Sequence, residues 1–304
     1  MAEESFSVSR KKSYRFWDGV FVCLIILIAY PTFALTECPI KAAMGDQPFP
    51  GKMAIAFNRA AVNQLGAEGP AYDQIYKGYP KPIFSPPYVP SILIKAIGHV
   101  ESGGWKQFKA DYGEAGPTVI SFDCGYGIMQ ITSGMAGGEG FDPARVASEY
   151  AYNIGTGAKI LIDKWNKIRS YIGERNPEII EDWYYAVWAY NGWVPSNNPN
   201  NAKYKPDRPP FDGTQPRVNY PYQELVWGYA ANPPSTEFWK PIPLTLPNRS
   251  FIGNRPPTWI QRSYPLHSEI AVLSGGLKSD NKGHVADSDI ELGPVTQMHS
   301  IFSK

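Results

Sequence analysis

Fifteen of the chain's 29 prolines lie between Pro195 and Pro265, a window of 71 residues. Proline has no N–H and a locked φ, so prolines this dense forbid long helices and central strands. Nearly a quarter of the 304 residues must therefore be built from extended segments, turns and short helices. The same window is rich in aromatics, as in NYPYQELVWGYAA (219–231) and EFWKPIP (237–243). Disordered tails carry few aromatics. Residues 194–270 are thus expected to form an irregular, ordered wrap packed on another body, with one short helix near Tyr222–Ala231. Beyond about Ala271 the chain turns polar, and 271–304 reads as a mobile tail.

The body is expected to be helical. Pro90 and Ser91 give a start signal, and ILIKAIGHVE (92–101) continues with apolar residues at helical spacing until Gly103 and Gly104 stop it. Asp142 and Pro143 form an N-cap and first-position pair. Two helical stretches follow, Ala144–Tyr152 and Gly155–Ile168. Asn176 and Pro177 then open EIIEDWYYAVWAYN, with Ile180, Trp183, Val187 and Tyr190 on one face and an end at Gly192. No strand pattern of comparable strength occurs between 91 and 192. Residues 35–87 read as a leader with one helical segment around Met53–Gln64. The expected fold class is mainly α, a helical domain over 88–193 with a Pro-rich irregular C-terminal extension packed on it.

The N-terminus implies export. Arg10, Lys11, Lys12 and Arg15 precede a fifteen-residue, largely apolar run from Val20 to Ala34. A bilayer span needs roughly 20 residues, so residues 1–34 read first as a signal peptide cut after Ala34. An uncleaved anchor is the alternative, because Phe16 and Trp17 extend the run. Leu35-Thr36-Glu37-Cys38 superficially resembles a lipoprotein signal, but Glu37 is wrong for one. Cys23 leaves with a cleaved signal, and Cys38 and Cys124 remain, an even number in an oxidising compartment. Either they are two buried thiols or they form a bridge. A bridge would close a loop of roughly 85 residues and contribute about 4 kcal/mol in the chain-entropy model. A net charge of +1 gives no electrostatic case for nucleic acid or an anionic membrane surface as the main partner. Membrane association would come only through the N-terminal anchor. Aromatic residues at 14% suit an aromatic core and equally suit sugar binding.

Three short stretches carry chemistry. Glu101 lies four residues after Ile97 and eight after Leu93, at the end of an apolar helix face. There it is either a desolvated carboxyl with a raised pKa, as a general acid requires, or a helix end pointing into solvent. In CGYGIMQIT (124–132), the turn Gly125-Tyr126-Gly127 would let backbone approach a ligand closely. Gln130, set among apolar residues, offers a donor and an acceptor. Third, Tyr190 and Asn191 end the aromatic helix, within possible reach of a carboxylate.

In combination these stretches resemble a known family. Glu101-Ser102, GYGIMQIT with Gly127 and Gln130, and Ala189-Tyr190-Asn191 look like the three signature motifs of the soluble lytic transglycosylase domain, of the lysozyme-like superfamily. The segment 141–161 is similar to that family's connecting helix pair. The resemblance covers roughly 88–193 and not the Pro-rich remainder, and the link between Glu101 and Gly127 is longer than the family's. It implies a lysozyme-like fold, a bacterial cell envelope and peptidoglycan glycan strands as the partner. It also implies cleavage of the β-1,4 bond between N-acetylmuramic acid and N-acetylglucosamine without net addition of water. Glu101 would be the single acid and base, with the substrate's N-acetyl group assisting. Gln130 and Tyr190 would orient substrate, Ser102 and Gly127 would belong to the binding motifs, Asn191 would support Glu101, and the Tyr126 ring would line the sugar cleft.

A goose-type lysozyme reading remains open, since hydrolysis needs a second carboxylate about 6.5–9.5 Å away and Asp111, Glu114 and Asp123 lie in the long loop. A glycan-binding envelope protein on the same fold is a third reading. His99, His267, His284 and His299 show no metal-ligand spacing, so no metal or cofactor is expected. Asn248, Arg249 and Ser250 match a glycosylation sequon, a pattern that arises often by chance.

Overall fold

The computed structural model describes residues 37–78, 83–168, 175–234 and 239–252. The expected signal or anchor at 1–34 and the polar tail at 271–304 lie outside the described residues. So does 253–270. Among the described residues no helix is long and apolar enough to cross a membrane.

The molecule is mainly α. In chain order, β1 (Met44–Asp46) leads to α1 (Pro50–Ala61). A small hairpin of β2 (Ile75–Lys77) and β3 (Ile83–Ser85) then precedes α2 (Ser91–Ser102). After β4 (Ala115–Pro117) come α3 (Pro143–Ser148), α4 (Tyr150–Lys167), α5 (Tyr184–Tyr190) and α6 (Tyr222–Ala231). The strands are minor: β1 pairs antiparallel with β4, Gly45 opposite Gly116, and β2 with β3, Tyr76 opposite Phe84.

Helix α2 organises the rest. Pro90 opens it, its carbonyl accepting from Leu93 N at 3.0 Å. Gly103 closes it at φ 66°, a left-handed cap that favours glycine, with its N–H on His99 O. Nine of its twelve residues are buried, including Ser91, Lys95 and Gly98. Helix α6 lies along it most extensively, α1 packs on both α2 and α4, and α5 bridges α4 and α6.

Several elements differ from the sequence reading in ways the side chains explain. The helix expected from Glu178 begins at Tyr184, preceded by a 3-10 turn at Ile180–Trp183. Asn176 Oδ1 accepts from Glu178 N, Asp182 Oδ2 accepts from Asn176 N at 2.8 Å, and Trp183 Nε1 donates to Pro177 O. These side-chain bonds hold the backbone as a knot of turns in competition with helix. Asp142 caps α3 through Ala144 N and Arg145 N as expected, but the break falls at Glu149, whose backbone is extended. The Asn153 amide, donating to Val146 O at 3.0 Å, satisfies the carbonyl left open there.

One core takes side chains from the expected leader (Met53, Phe57), from 88–193 (Leu93, Trp105, Trp183) and from the Pro-rich stretch (Phe211, Trp227, Trp239, Ile252). Trp239 lies 5.7 Å from Trp105 and Trp227 lies 5.4 Å from Tyr184, ring centre to ring centre. A buried ion pair fixes the irregular segment to α6. Arg208 donates Nε to Glu224 Oε2 at 2.8 Å and Nη2 to Oε1 at 2.5 Å, with both side chains no more than 3% exposed. Removing one partner strands the other charge in the interior. Glu224→Ala is therefore expected to lower unfolding stability by about 3–5 kcal/mol, read from the urea midpoint; a loss under about 1 kcal/mol would show the pair to be dispensable.

Candidate active site

Glu101 sits in the last turn of α2, partly buried. The Tyr222 hydroxyl, from the first turn of α6, donates to its Oε1 at 2.5 Å. Arg217, in the 3-10 turn Arg217–Asn219, donates Nη2 to Val100 O at 2.7 Å, beside the same carboxylate. Burial pushes the Glu101 carboxyl up from 4.5 to about 7. The Tyr222 hydrogen bond and the Arg217 charge pull it back, and the Asp123 charge adds a further push. A carboxyl poised near neutrality holds a proton for donation and gives it up readily. Its neighbour His99 is held neutral, lowered to about 4 by burial and by Arg217, with its ring edge-on to Tyr229 at 4.4 Å.

The stretch 124–132 packs on α2, with Ile128 and Met129 against Gly98. Gly127 is buried at φ 64°, and a Cβ there would fall 2.2 Å from Gln107 Oε1 and 2.6 Å from Asn153 Nδ2. Those two amides hold the turn. Gln107 Oε1 accepts from Ile128 N, while Asn153 accepts from Met129 N at 2.8 Å and donates to Tyr126 O at 2.8 Å. The absence of a side chain at Gly127 is thus required by these internal amides. Contrary to expectation, the Tyr126 ring is fully buried, and its hydroxyl donates to Ile40 O at 2.7 Å and accepts from Ile40 N at 3.0 Å, so it cannot line a sugar cleft.

Ser102 lies in the last turn of α2, with Oγ donating to Gly98 O at 2.7 Å and accepting from Lys106 N at 3.0 Å, which ties the helix end to the following loop. Gln130 is half-buried at a strained φ of 46°, and its Nε2 donates to Gly127 O at 2.8 Å. Tyr190 donates its hydroxyl to Met129 O at 2.9 Å, fastening α5 to the turn, and burial with the Glu101 charge drives its pKa well up. Asn191 is exposed, and its Oδ1 accepts from Asn197 Nδ2 at 2.7 Å. Cys38 and Cys124 form a disulfide spanning 86 positions, which pins the start of the turn to the N-terminal segment.

Of the loop carboxylates, all exposed, Asp123 is the one whose charge acts on Glu101. Asp111 instead pairs with Lys106 at 3.9 Å. Among the described residues no cluster of three or more histidine, cysteine, aspartate or glutamate side chains is placed to hold a metal ion. The remaining three histidines lie outside the described residues.

Tyr222 and Arg217 are the functional candidates that sequence reasoning passed over. They lie 121 and 117 positions from their partners on α2. The only signal was indirect, a single helix amid prolines that begins on a tyrosine.

No family model, curated protein or solved structure matches the chain.

Two measurements check the electrostatics of Glu101. Its folded pKa lies above its unfolded value, so ionisation weakens the fold progressively as pH rises from 4.5 to about 7. Glu101→Gln is expected to melt close to wild type at pH 4.5 and above it at pH 8; a constant offset across that range would mean no shift exists. Tyr222→Phe removes a bond that favours the carboxylate, so the Glu101 carboxyl should titrate above about 7 by carbon NMR. A fall would reverse the assignment.

Proposed function

We propose that this chain is an exported peptidoglycan lytic transglycosylase on a lysozyme-like helical fold, with Glu101 as its single acid and base. The observation that carries the reading is the Glu101 carboxyl, pushed up to about 7 at the end of a buried helix and held by Tyr222. Glu101, Gln130, Tyr190 and Asn191 keep the order of the family's motifs, and the turn bearing Gln130 is fastened to α5 beside Glu101. The Cys38–Cys124 bridge supports an oxidising compartment, where such bonds persist.

In the reaction, protonated Glu101 gives its proton to the glycosidic oxygen as the bond to the muramoyl anomeric carbon breaks. The carbonyl oxygen of the neighbouring N-acetyl group bonds to that carbon and spreads the positive charge. Glu101, now a carboxylate, takes the proton of the muramoyl 6-hydroxyl. The 6-oxygen then attacks the anomeric carbon and displaces the acetamido oxygen, leaving a 1,6-anhydro ring and Glu101 reprotonated. No water is consumed, and no second carboxylate is needed. Tyr222 holds one Glu101 oxygen in place and stabilises the carboxylate form. Arg217 acts in the same direction through its charge. Gln130, on the turn that Tyr190 fastens, would offer its amide to sugar amides and hydroxyls, whereas Asn191 is bonded to Asn197 and is given no role on Glu101.

A second reading is hydrolysis of the same bond, favoured by one observation, the reach of the Asp123 charge to Glu101. Asp123 would then hold the attacking water.

Digesting peptidoglycan and weighing the muropeptides separates the readings. Products one water lighter than hydrolytic ones are expected. Ordinary reducing ends would move the assignment to hydrolysis, and an intact glycan would end both. Glu101→Gln should lower the cleavage rate by at least about 100-fold while retaining glycan binding. Full activity in that variant would sink the role of Glu101.

A further inference from the structure

Two exposed apolar side chains adjoin residues whose charge reaches Glu101. Phe122, at 101% exposure, precedes Asp123, whose charge acts on Glu101. Val218, 80% exposed, follows Arg217, which lies against the end of α2. Single exposed apolar residues are ordinary. A phenylalanine fully in water, at a turn tip where small and polar residues are usual, is less so.

The turn that carries Phe122 is locked. Cys124 N donates to Ser121 O at 3.1 Å, which puts Phe122 and Asp123 at the tip of a closed four-residue turn. Ser121 N donates to Gly125 O at 3.0 Å, and Ser121 Oγ accepts from Gly125 N at 2.8 Å. The same hydroxyl donates to Asp123 Oδ1 at 2.5 Å. Cys124 is fixed again by its bond to Cys38. The ring thus stands in solvent on backbone pinned from both sides, with little conformational freedom left to lose on contact.

We infer that Phe122 is a stacking platform for a pyranose ring of the glycan strand that Glu101 cleaves. β-1,4-linked sugars carry their substituents equatorially, so each ring presents a flat face of axial C–H groups. Such a face matches the electron-rich face of an aromatic ring. A platform at the tip beside Asp123 would hold a sugar flanking the scissile bond. Val218 adds apolar surface beside Arg217. The inference rests on the glycan-cleaving reading and adds a binding residue to it.

The test uses the full exported chain and un-crosslinked peptidoglycan glycan strands. In the Glu101→Gln background, Phe122→Ala should weaken strand binding by calorimetry about fivefold, the scale of one aromatic contact, and Phe122→Trp should restore it. In the active enzyme, Phe122→Ala should raise KM by a similar factor and leave kcat nearly unchanged. Its melting temperature should stay at wild type, because the ring buries nothing. If wild type cleaves the strands while Phe122→Ala binds and cleaves as wild type does, the platform is overturned and the cleavage reading stands. A kcat loss without a KM change would also overturn it. If wild type neither binds nor cleaves the strands, the reading beneath it fails and the platform falls too.

Discussion

A helix with almost no solvent face, ending on a carboxylate, sets the terms for this molecule. Water is excluded from α2 by α1, by α6 and by the turn at 125–131, so the price of a charge at Glu101 is set by how tightly those neighbours close. Gly98 shows how tight the fit is: a Cβ there would lie 2.9 Å from the Phe57 ring and 3.0 Å from Ile128. Gly157 of α4 is crowded from the other side by Met129, at 2.6 Å. Glycine inside a helix costs roughly 0.5–1 kcal/mol relative to alanine. Here two such positions open the slot into which Ile128 and Met129 fit. The packing that seats the turn is therefore the packing that dries the helix end.

The irregular segment after Trp193 completes the same arrangement. Prolines keep it from forming long regular elements, and its shape is held by side chains: Arg208 on Glu224, Asn200 on Ile252 O, Tyr204 on Ser196 O. The reward is α6, delivered along α2 so that Tyr222 meets Glu101 while Tyr229 covers His99. Loss of this segment would leave α2 half-uncovered and return Glu101 to water. The chain stretch least regular in backbone thus governs the titration of Glu101.

Legibility in the sequence followed the range of the interaction. Helix α2, its glycine stop, the Asp142 cap and α6 rest on contacts within a few residues, and all can be read directly. The desolvation of Glu101 could be framed from spacing but not decided, because spacing shows a face and not what covers it. The surroundings of Gly127 and Tyr126 are illegible in the sequence for a related reason. A glycine at positive φ beside a ligand and one beside buried amides look alike in sequence, and the deciding partners, Gln107 and Asn153, lie 20 and 26 positions away in opposite directions. The 176–183 turns were missed because an apolar helical period masked side-chain bonds from Asn176 and Asp182. Tyr222 was out of reach altogether.

One carboxyl that serves as acid and then as base needs a pKa near its working pH, since a shift either way slows one of the two steps. Burial alone would carry Glu101 too far, leaving an acid that seldom ionises. The Tyr222 hydroxyl and the Arg217 charge oppose burial without admitting water, and Asp123 works against them from the loop. Four elements from two separate stretches of the chain, 91–124 and 217–231, therefore act on one proton: α2 by burial, α6 by a hydrogen bond, and two turns by charge. Such a balance is disturbed by movement of any one of them, which is a reason for the turn at 121–124 to be closed by hydrogen bonds and tied by a disulfide. The same rigidity that steadies Asp123 holds Phe122 outward, so the electrostatic setting of the carboxyl and the exposed aromatic ring come from a single piece of fixed backbone.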